Sequence, residues 1–254
     1  MERFQLGLLV ILTLVLILLL KFIPKPDGGI PKIIHQTAPA DRSKWHAIWT
    51  PCQKSWRTQF PDWEYKMWTD EDLEDLIKNK YSWFYPTWKG YDQKIKRIDS
   101  ARYFIMYEYG GMYADMDFEC VQNFEHKIPD GVVSIAESPW KHDGRGETYQ
   151  NALMISPPKH EFWEIAFKKL EAAKNIPDVL YATGPQIIMQ AIAECNPRSF
   201  NALPHNEFAP AYNGGDFRPV YESGRKTLLN AKANRWVYTR HHSTAVWGSG
   251  ANQI

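Results

Sequence analysis

Asp115 and Asp117, two aspartates one residue apart, are the side chains of this sequence best suited to holding a metal ion. They follow Met112-Tyr113-Ala114, a run typical of a strand that leaves the turn at Gly110-Gly111. Alternate residues of an extended chain lie on one face, so the two carboxylates are expected to converge. Oxygen ligands suit Mn²⁺ or Mg²⁺, and two carboxylates leave coordination positions open for a phosphate ligand. An exposed acidic turn is the alternative interpretation.

An acidic and a basic side chain share one face of the helix that is predicted immediately upstream. Apolar residues recur at nearly helical spacing over residues 92–109, and Gly110-Gly111 ends the pattern. Asp99 and Arg102 are three residues apart in this helix and therefore lie side by side. They form either part of a binding site with the two aspartates or a salt bridge on the helix surface.

Helices and strands alternate along the rest of the chain. Strands are predicted over residues 32–36, 63–68, 112–114, 132–136 and 152–155, and helices after a cap at Thr69 and over residues 161–173 and 185–193. This alternation predicts an α/β fold with helices flanking a mixed, mostly parallel sheet. Ligands of such folds bind at the carboxyl ends of the strands, which is where the aspartate pair lies.

Residues 97–117 resemble the sugar-binding DXD region of glycosyltransferase family 32. The resemblance extends to residues 30–37 (Ile-Pro-Lys-Ile-Ile-His-Gln-Thr), to residues 183–185 (Thr-Gly-Pro) and to the tail over residues 242–247. It therefore covers nearly the whole chain after residue 29. The tail departs from the compact His-x-x-x-Ser-Trp ending expected of the family, because it reads His-His-Ser-Thr-Ala-Val-Trp-Gly-Ser from residue 241.

The resemblance implies a GT-A-type nucleotide-sugar-binding fold and a metal-dependent glycosyltransferase that retains the anomeric configuration of the sugar. It favours Mn²⁺ over Mg²⁺. It implies that Asp117 binds the metal, while Asp115 serves both the metal and the ribose or sugar hydroxyls. Asp99 and Arg102 are placed at the hydroxyls and phosphates of the donor, with a spacing similar to that of the glucosylating bacterial toxins. These four residues are the predicted catalytic set, and Tyr113 is a predicted donor contact, with a buried core tyrosine as the alternative.

Four further residues are predicted to contact the donor or the metal. His35 and Gln36 end the first strand, where contact with the base or ribose competes with the alternative of a hydrogen-bonded strand-end histidine. His242 is predicted to be a third metal ligand or a diphosphate contact, with His241 pointing elsewhere. Trp247 is predicted to close over the phosphates or the acceptor, and simple packing of its ring is the alternative.

The donor sugar is predicted to be mannose, carried by GDP-mannose. The basis is that residues 30–36 and 109–117 look most like the mannosyltransferase branch of the family. A glycolipid or glycan acceptor such as inositol phosphoceramide is expected, because the stem after the N-terminal apolar segment is short. One alternative is a UDP-sugar-dependent galactosyl- or N-acetylglucosaminyltransferase. Another is a non-catalytic, membrane-tethered carbohydrate-binding protein, against which the intact acidic pair argues.

Composition excludes several other functions. The 254 residues contain 30 Lys and Arg against 29 Asp and Glu, a formal charge of +1, so no excess of charge predicts binding to nucleic acid. Cys52, Cys120 and Cys195 have no metal-binding spacing, which excludes a cysteine zinc site and leaves one disulfide possible, its pair undetermined.

The N-terminus is an uncharged apolar run from Gln5 to Leu20. It predicts an uncleaved transmembrane signal anchor over residues 1–23, a short linker over residues 24–29 and a catalytic domain over residues 30–254. A cleaved signal peptide is the alternative, disfavoured because no small-x-small pattern follows Leu20. A domain that acts on acceptors of the secretory pathway must be lumenal. We therefore expect a single-pass type II protein of the Golgi or another secretory-pathway membrane.

Overall fold

The computed structural model describes residues 28–138, 148–210, 217–222, 225–230 and 235–244. Among them the strands are β1 Ile33–Thr37, β2 Glu64–Trp68, β3 Gly111–Ala114, β4 Phe118–Cys120, β5 Val133–Glu137, β6 Tyr149–Ser156, β7 Phe200–Leu203, β8 Phe217–Glu222, β9 Arg225–Asn230, β10 Arg235–Val237 and β11 Thr239–His241. The helices are α1 Trp49–Gln59, α2 Asp70–Lys80, α3 Tyr85–Gly90, α4 Lys94–Tyr109, α5 Glu161–Ala173, α6 Val179–Ala182, α7 Pro185–Glu194 and α8 His205–Phe208.

Six strands form the central sheet, in the order β2-β1-β3-β6-β5-β7. β1 runs parallel to β2 and β3, and β5 runs parallel to β7. β6 lies between β3 and β5 and runs antiparallel to both. The predicted α/β fold with a mixed sheet is therefore confirmed. Within the described chain, β8, β9 and β10 form a separate three-stranded antiparallel ladder, and β4 pairs with β11.

Both faces of the central sheet are covered by apolar side chains. Tyr113 and Met154 belong to the core formed with α2, α4, α5 and α7, whereas their neighbours Met112 and Leu153 belong to the core on α1 and α8. Successive residues of a strand point to opposite faces, so a strand buried on both sides is apolar throughout. This explains why residues 112–114 of β3 and 152–155 of β6 are continuously apolar rather than alternating.

Local sequence signals account for the start of α2 and for the end of α4. At the start of α2, the Thr69 hydroxyl accepts from the Asp72 amide at 3.2 Å and the Asp72 carboxylate accepts from the Thr69 amide at 2.8 Å. The predicted cap at Thr69 is therefore confirmed, and it takes the form of a capping box. Helix α4 ends at Gly110, as predicted. Helix α1 is not among the predicted elements, and its N-cap residue, Ile48, has no capping side chain to signal its start.

Helix α1 carries the chain that follows the aspartate pair. The Trp56 indole donates to the carbonyl of Phe118 at 2.7 Å, and the Cys120 amide donates to the Ser55 hydroxyl at 2.8 Å. Both bonds hold β4 against the helix. Because β4 pairs with β11, with Phe118 opposite His241, this contact also sets where the C-terminal segment reaches the aspartates.

Two further sequence expectations concern the cysteines and the membrane anchor. Cys52, Cys120 and Cys195 are all buried free thiols in this structure, so none of them is paired. Among the residues that the structure describes, no helix has the length and apolar character needed to cross a bilayer. The anchor predicted over residues 1–23 lies outside those residues and stays a prediction.

The turn from α4 into β3 requires glycine. Gly111 has a φ of +83°, and a Cβ built on it would lie 2.4 Å from the carbonyl oxygen of Ile33 in the neighbouring strand. Gly110 also has a positive φ, of +63°. Only glycine combines this backbone conformation with so close an approach of another strand. The pair that precedes the aspartates therefore fixes how α4 meets β3.

We predict that Gly111→Ala lowers the free energy of unfolding by at least about 2 kcal/mol. The alanine would have to adopt a positive φ, and its Cβ would also overlap with the carbonyl oxygen of Ile33. The control is Gly90→Ala at the end of α3, where a Cβ would meet nothing within 4 Å. The control is expected to change the stability by less than about 0.5 kcal/mol. Denaturant unfolding followed by tryptophan fluorescence measures both. Equal midpoints for Gly111→Ala and the wild type would contradict the prediction.

Candidate functional site

The two aspartates converge through a tight turn after β3. The Asp115 amide still donates to the Ala152 carbonyl of β6 at 2.9 Å, and the Phe118 amide then donates back to the Asp115 carbonyl at 3.0 Å. Met116, between the aspartates, is buried and anchors the turn. The expected convergence is therefore present, but it arises from a turn rather than from alternation along a strand.

A third ligand side chain joins the pair. One ligand atom each of Asp115, Asp117 and His241 lies within 4.8 Å of the others. Two carboxylates and an imidazole are a donor set that suits Mn²⁺. The chemistry of the cluster thus fits the metal ion that the resemblance implies. The three residues come from the turn after β3 and from β11, which meets that turn through its pairing with β4.

Asp117 is held as a carboxylate by the C-terminal segment. Its Oδ2 accepts from the amide and from the hydroxyl of Thr244, both at 2.8 Å, and its Oδ1 lies 3.3 Å from Nε2 of His241. Burial alone would raise the pKa of Asp117, but the contact with His241 and the hydrogen bonds from Thr244 outweigh it and hold the pKa well below its usual range. Asp117 is therefore ionised throughout the neutral range.

Asp115 is held by a buried arginine. Arg102 Nη1 lies 3.1 Å from Oδ1 of Asp115 and donates to the Asn151 carbonyl at 3.0 Å, while Nη2 lies 2.6 Å from Oδ1 of Asp99. The Tyr113 hydroxyl donates to Asp115 at 2.8 Å. Asp99 and Arg102 are only 6% and 4% exposed, so they form an internal ion pair beside Asp115 rather than a salt bridge on the helix surface.

The charges of the site do not balance. Burial raises the pKa of Asp99 to about 7, with Arg102 opposing the shift, and burial also raises the pKa of Asp115 against the same guanidinium. The pKa of Arg102 is raised, because the neighbouring carboxylates outweigh its own burial. Arg102 pairs with Asp99 and Asp115 but not with Asp117, whose charge raises the pKa of Asp115 further. A cation at Asp115 and Asp117 would therefore offset the repulsion between these two carboxylates.

His35 and Gln36 lie inside the protein, with none of their surface exposed. His35 Nδ1 accepts from the Trp68 indole at 3.1 Å, so its Nε2 carries the hydrogen that faces the Gly110 carbonyl at 3.0 Å. Burial lowers the pKa of His35 to about 4. The Gln36 amide donates to the Asp115 carbonyl at 3.1 Å. His35 thus matches the alternative of a hydrogen-bonded strand-end histidine, and Gln36 supports the aspartate turn. The contacts of both residues with the nucleotide stay predictions.

Tyr113 combines both interpretations that the sequence leaves open. Its ring is fully buried, as in a core tyrosine, and it lies 4.9 Å from the Arg102 guanidinium. Its hydroxyl nevertheless reaches the site, where it contacts the Thr37 hydroxyl at 2.9 Å and Asp115. Tyr113 is thus placed to hold Asp115 in position.

His241 and His242 lie in the opposite arrangement to the one predicted from the sequence, in which His242 faces the aspartates and His241 points elsewhere. His242 Nε2 lies 3.0 Å from Glu119, and only its backbone amide reaches Asp117, whereas the ring of His241 faces the aspartates. Adjacent residues of an extended segment point in opposite directions, so one position decides which ring enters the site. The third-ligand position predicted for His242 is therefore occupied by His241. Trp247 lies outside the described residues.

Three residues of the site are absent from the sequence prediction: Thr244, Asn151 and Gln150. Thr244 binds Asp117, Asn151 supplies the carbonyl for Arg102, and Gln150 contacts His241. Their roles depend on β6 lying beside β3 and on β11 pairing with β4. The only sequence signal near any of them is the tail resemblance that drew attention to His242.

Part of this chain is similar to known glycosyltransferases. Residues 47–134 match the family model described as a glycosyltransferase sugar-binding region containing a DXD motif. "Inositol phosphoceramide mannosyltransferase 3" of Schizosaccharomyces pombe is 44% identical over 170 residues, which cover 63% of this chain and 44% of that protein. "Mannosyl phosphorylinositol ceramide synthase SUR1" of Saccharomyces cerevisiae is 37% identical over 148 residues, which cover 58% of this chain and 36% of that protein. The chain thus spans less than half the length of these relatives.

A solved structure supports the fold. The structure titled "PaToxG Glycosyltransferase" superimposes with a TM-score of 0.52 over 67% of this chain and 71% of that one, at 15% sequence identity. The matched family region contains Asp99, Arg102 and the Asp115-Met116-Asp117 turn. The chain therefore carries the DXD-containing sugar-binding region of glycosyltransferases, and the resemblance predicted from its motifs is confirmed.

Proposed function

We propose that this chain is a metal-dependent, retaining glycosyltransferase that moves mannose from GDP-mannose to inositol phosphoceramide. The observation that carries the proposal is the cluster of Asp115, Asp117 and His241 beside the buried Arg102. The names of the two relatives above supply the sugar and the acceptor. Their identity to this chain, 44% and 37%, falls on less than half of each relative, so the activity of the whole chain rests on the proposal.

In the proposed site, different side chains bind the metal ion, position the carboxylates and contact the donor sugar. Asp115, Asp117 and His241 would hold the divalent cation, which when bound neutralises the negative charge that grows on the departing diphosphate. Both Nη atoms of Arg102 contact Asp99, Asp115 or a backbone carbonyl, so the proposed role of Arg102 is to position the carboxylates rather than to bind a phosphate. Asp99 and Asp115 then have oxygens that can accept from hydroxyls of the donor sugar. Such preset charges need no reorganisation during the reaction.

Two other functions fit the same site less well. A UDP-sugar-dependent transferase would use the same metal cluster, but both relatives above are named for mannosyl transfer. A non-catalytic carbohydrate-binding protein would not need Asp117 held ionised by Thr244 or Asp115 held by Arg102, because a sugar can be bound by neutral hydrogen-bonding groups.

We further propose that residues 1–23 anchor the chain as a type II protein of a secretory-pathway membrane, with the site in the lumen. The uncharged run from Gln5 to Leu20 supports an anchor, and a lipid acceptor of that pathway supports the lumenal side. A tag after Ile254 is expected to resist protease in sealed microsomes and to be cleaved once detergent is added. Cleavage in intact vesicles would place the site in the cytosol.

Removal of either aspartate is expected to abolish metal-dependent transfer. Asp115→Asn and Asp117→Asn should each lower kcat/KM by at least about 100-fold, the scale of losing a charge interaction that stabilises the transition state. Asp130→Asn, an exposed aspartate away from the cluster, is the matched control and should retain activity. Transfer is measured with Mn²⁺ and again after EDTA. Full turnover in EDTA by folded protein would refute metal dependence.

The donor is tested by competition among nucleotide-sugars. The full chain, supplied with inositol phosphoceramide and Mn²⁺, is offered GDP-mannose, UDP-galactose, UDP-glucose and UDP-N-acetylglucosamine in separate reactions. We expect product from GDP-mannose alone, with mannose attached to the inositol headgroup as seen by mass spectrometry. Turnover of a UDP-sugar without turnover of GDP-mannose would replace the mannose assignment and leave the metal site intact.

A further inference from the structure

Gln150 of β6 is a buried side chain that touches the site and has no part in the function proposed above. It is 7% exposed. Its Nε2 donates to the backbone carbonyl of Glu137 at 3.1 Å, and its Oε1 lies 3.1 Å from Nδ1 of His241. A backbone carbonyl can only accept a hydrogen bond, so it must face the amide nitrogen of Gln150. The amide oxygen is thereby directed at His241.

This orientation selects one state of the imidazole. An amide oxygen can only accept, so Nδ1 of His241 must carry a hydrogen to bond with it. Nε2 is then the nitrogen left facing Oδ1 of Asp117, at 3.3 Å. The ring of Phe118 stacks on the imidazole with a centroid distance of 4.6 Å and an interplanar angle of 22°. The stacking holds the plane of the ring while Gln150 sets which nitrogen points into the site.

The result is a pair of acceptors aimed at each other. With the hydrogen on Nδ1, the neutral imidazole presents its Nε2 lone pair to a carboxylate oxygen. Two lone pairs at this distance repel unless a cation, whether a proton or a metal ion, lies between them. Imidazoles that bind metals in proteins commonly donate their other N–H to an oxygen that fixes the ring.

We propose that Gln150 is a positioning residue that fixes the tautomer and direction of His241, so that Nε2 is presented to the metal ion at Asp115 and Asp117. The proposal rests on the metal dependence proposed above. The competing explanation is purely structural: Gln150 satisfies the Glu137 carbonyl where the pairing of β5 with β6 changes register. In the first explanation the important atom is Oε1 of Gln150, which contacts His241, and in the second it is Nε2, which donates to the Glu137 carbonyl.

Two substitutions separate those ends. Gln150→Glu keeps an oxygen acceptor for Nδ1 of His241 but loses the donor to the Glu137 carbonyl, whereas Gln150→Leu loses both. Gln122→Leu is the matched control, because the Gln122 side chain also donates to a backbone carbonyl, that of Val237 at 3.0 Å. That bond supports the same C-terminal segment without touching His241.

The experiment measures Mn²⁺ affinity by calorimetry on the full chain in detergent, at one neutral pH. Gln150→Leu is expected to weaken binding by about 10- to 100-fold, the usual effect of losing a partner behind a metal ligand. Gln150→Glu is expected to bind within about threefold of the wild type or more tightly, and Gln122→Leu to bind like the wild type. Equal weakening in both Gln150 variants, or none in a folded Gln150→Leu, would overturn the positioning role.

A second readout does not depend on metal. Imidazole ¹⁵N shifts of the metal-free chain in alkaline solution should show the hydrogen of His241 on Nδ1, and Gln150→Leu should show a mixture of tautomers. The hydrogen on Nε2 in the wild type would overturn the inference by itself. If the tautomer is as expected but the wild type binds no Mn²⁺, then the proposed metal dependence fails, and the role of Gln150 toward a metal fails with it. If the wild type binds Mn²⁺ and Gln150→Leu binds it with the same affinity, then the role of Gln150 is refuted while the proposed metal dependence stands.

Discussion

A buried guanidinium organises this protein. Arg102 is only 4% exposed, and a charge taken out of water is tolerated only when partners surround it. Its partners are Asp99, one turn earlier in α4, and Asp115, just beyond the end of β3. Arg102 can contact both carboxylates only if α4 is packed against β3 in one defined orientation and position. The left-handed turn at Gly110 and Gly111 provides that geometry, so the turn and the ion pairs specify each other.

The two carboxylates of the turn are consequently unlike each other. Asp117 receives two hydrogen bonds from Thr244 and keeps a low pKa, whereas burial raises the pKa of Asp115 and its negative charge is shared with Arg102. The partners of Asp117 leave its negative charge uncompensated, because Thr244 is neutral, whereas the charge of Asp115 is already offset by Arg102. A cation therefore offsets more uncompensated charge at Asp117 than at Asp115. That difference agrees with the division implied by the family resemblance, in which Asp117 binds the metal and Asp115 has a shared role, and the division stays a prediction.

The sequence predicts the parts of the site that lie close together in the chain. Asp99, Arg102 and the aspartate turn fall within one helix, one glycine pair and one short strand, whose geometries follow from local rules. His35 illustrates the limit of such rules, because the end of a strand does not reveal which neighbours cover it. Trp68 and Gly110, which occupy its ring nitrogens, are brought to it by strand pairing. His241 and His242 show the same limit, since a shift of one residue exchanges their directions.

The position of the C-terminal segment in the site depends on several other contacts of the fold. His241 and Thr244 reach Asp117 only because β11 pairs with β4 over three residues, and β4 in turn rests on Trp56 and Ser55 of α1. The central sheet alone would leave Asp117 with neither its imidazole neighbour nor the donors that keep it ionised. The pairing of β11 with β4 therefore completes the proposed metal site at the edge of the central sheet. The chemistry of the DXD turn is thus decided by residues more than a hundred positions away from it, which explains why the triplet by itself indicates so little.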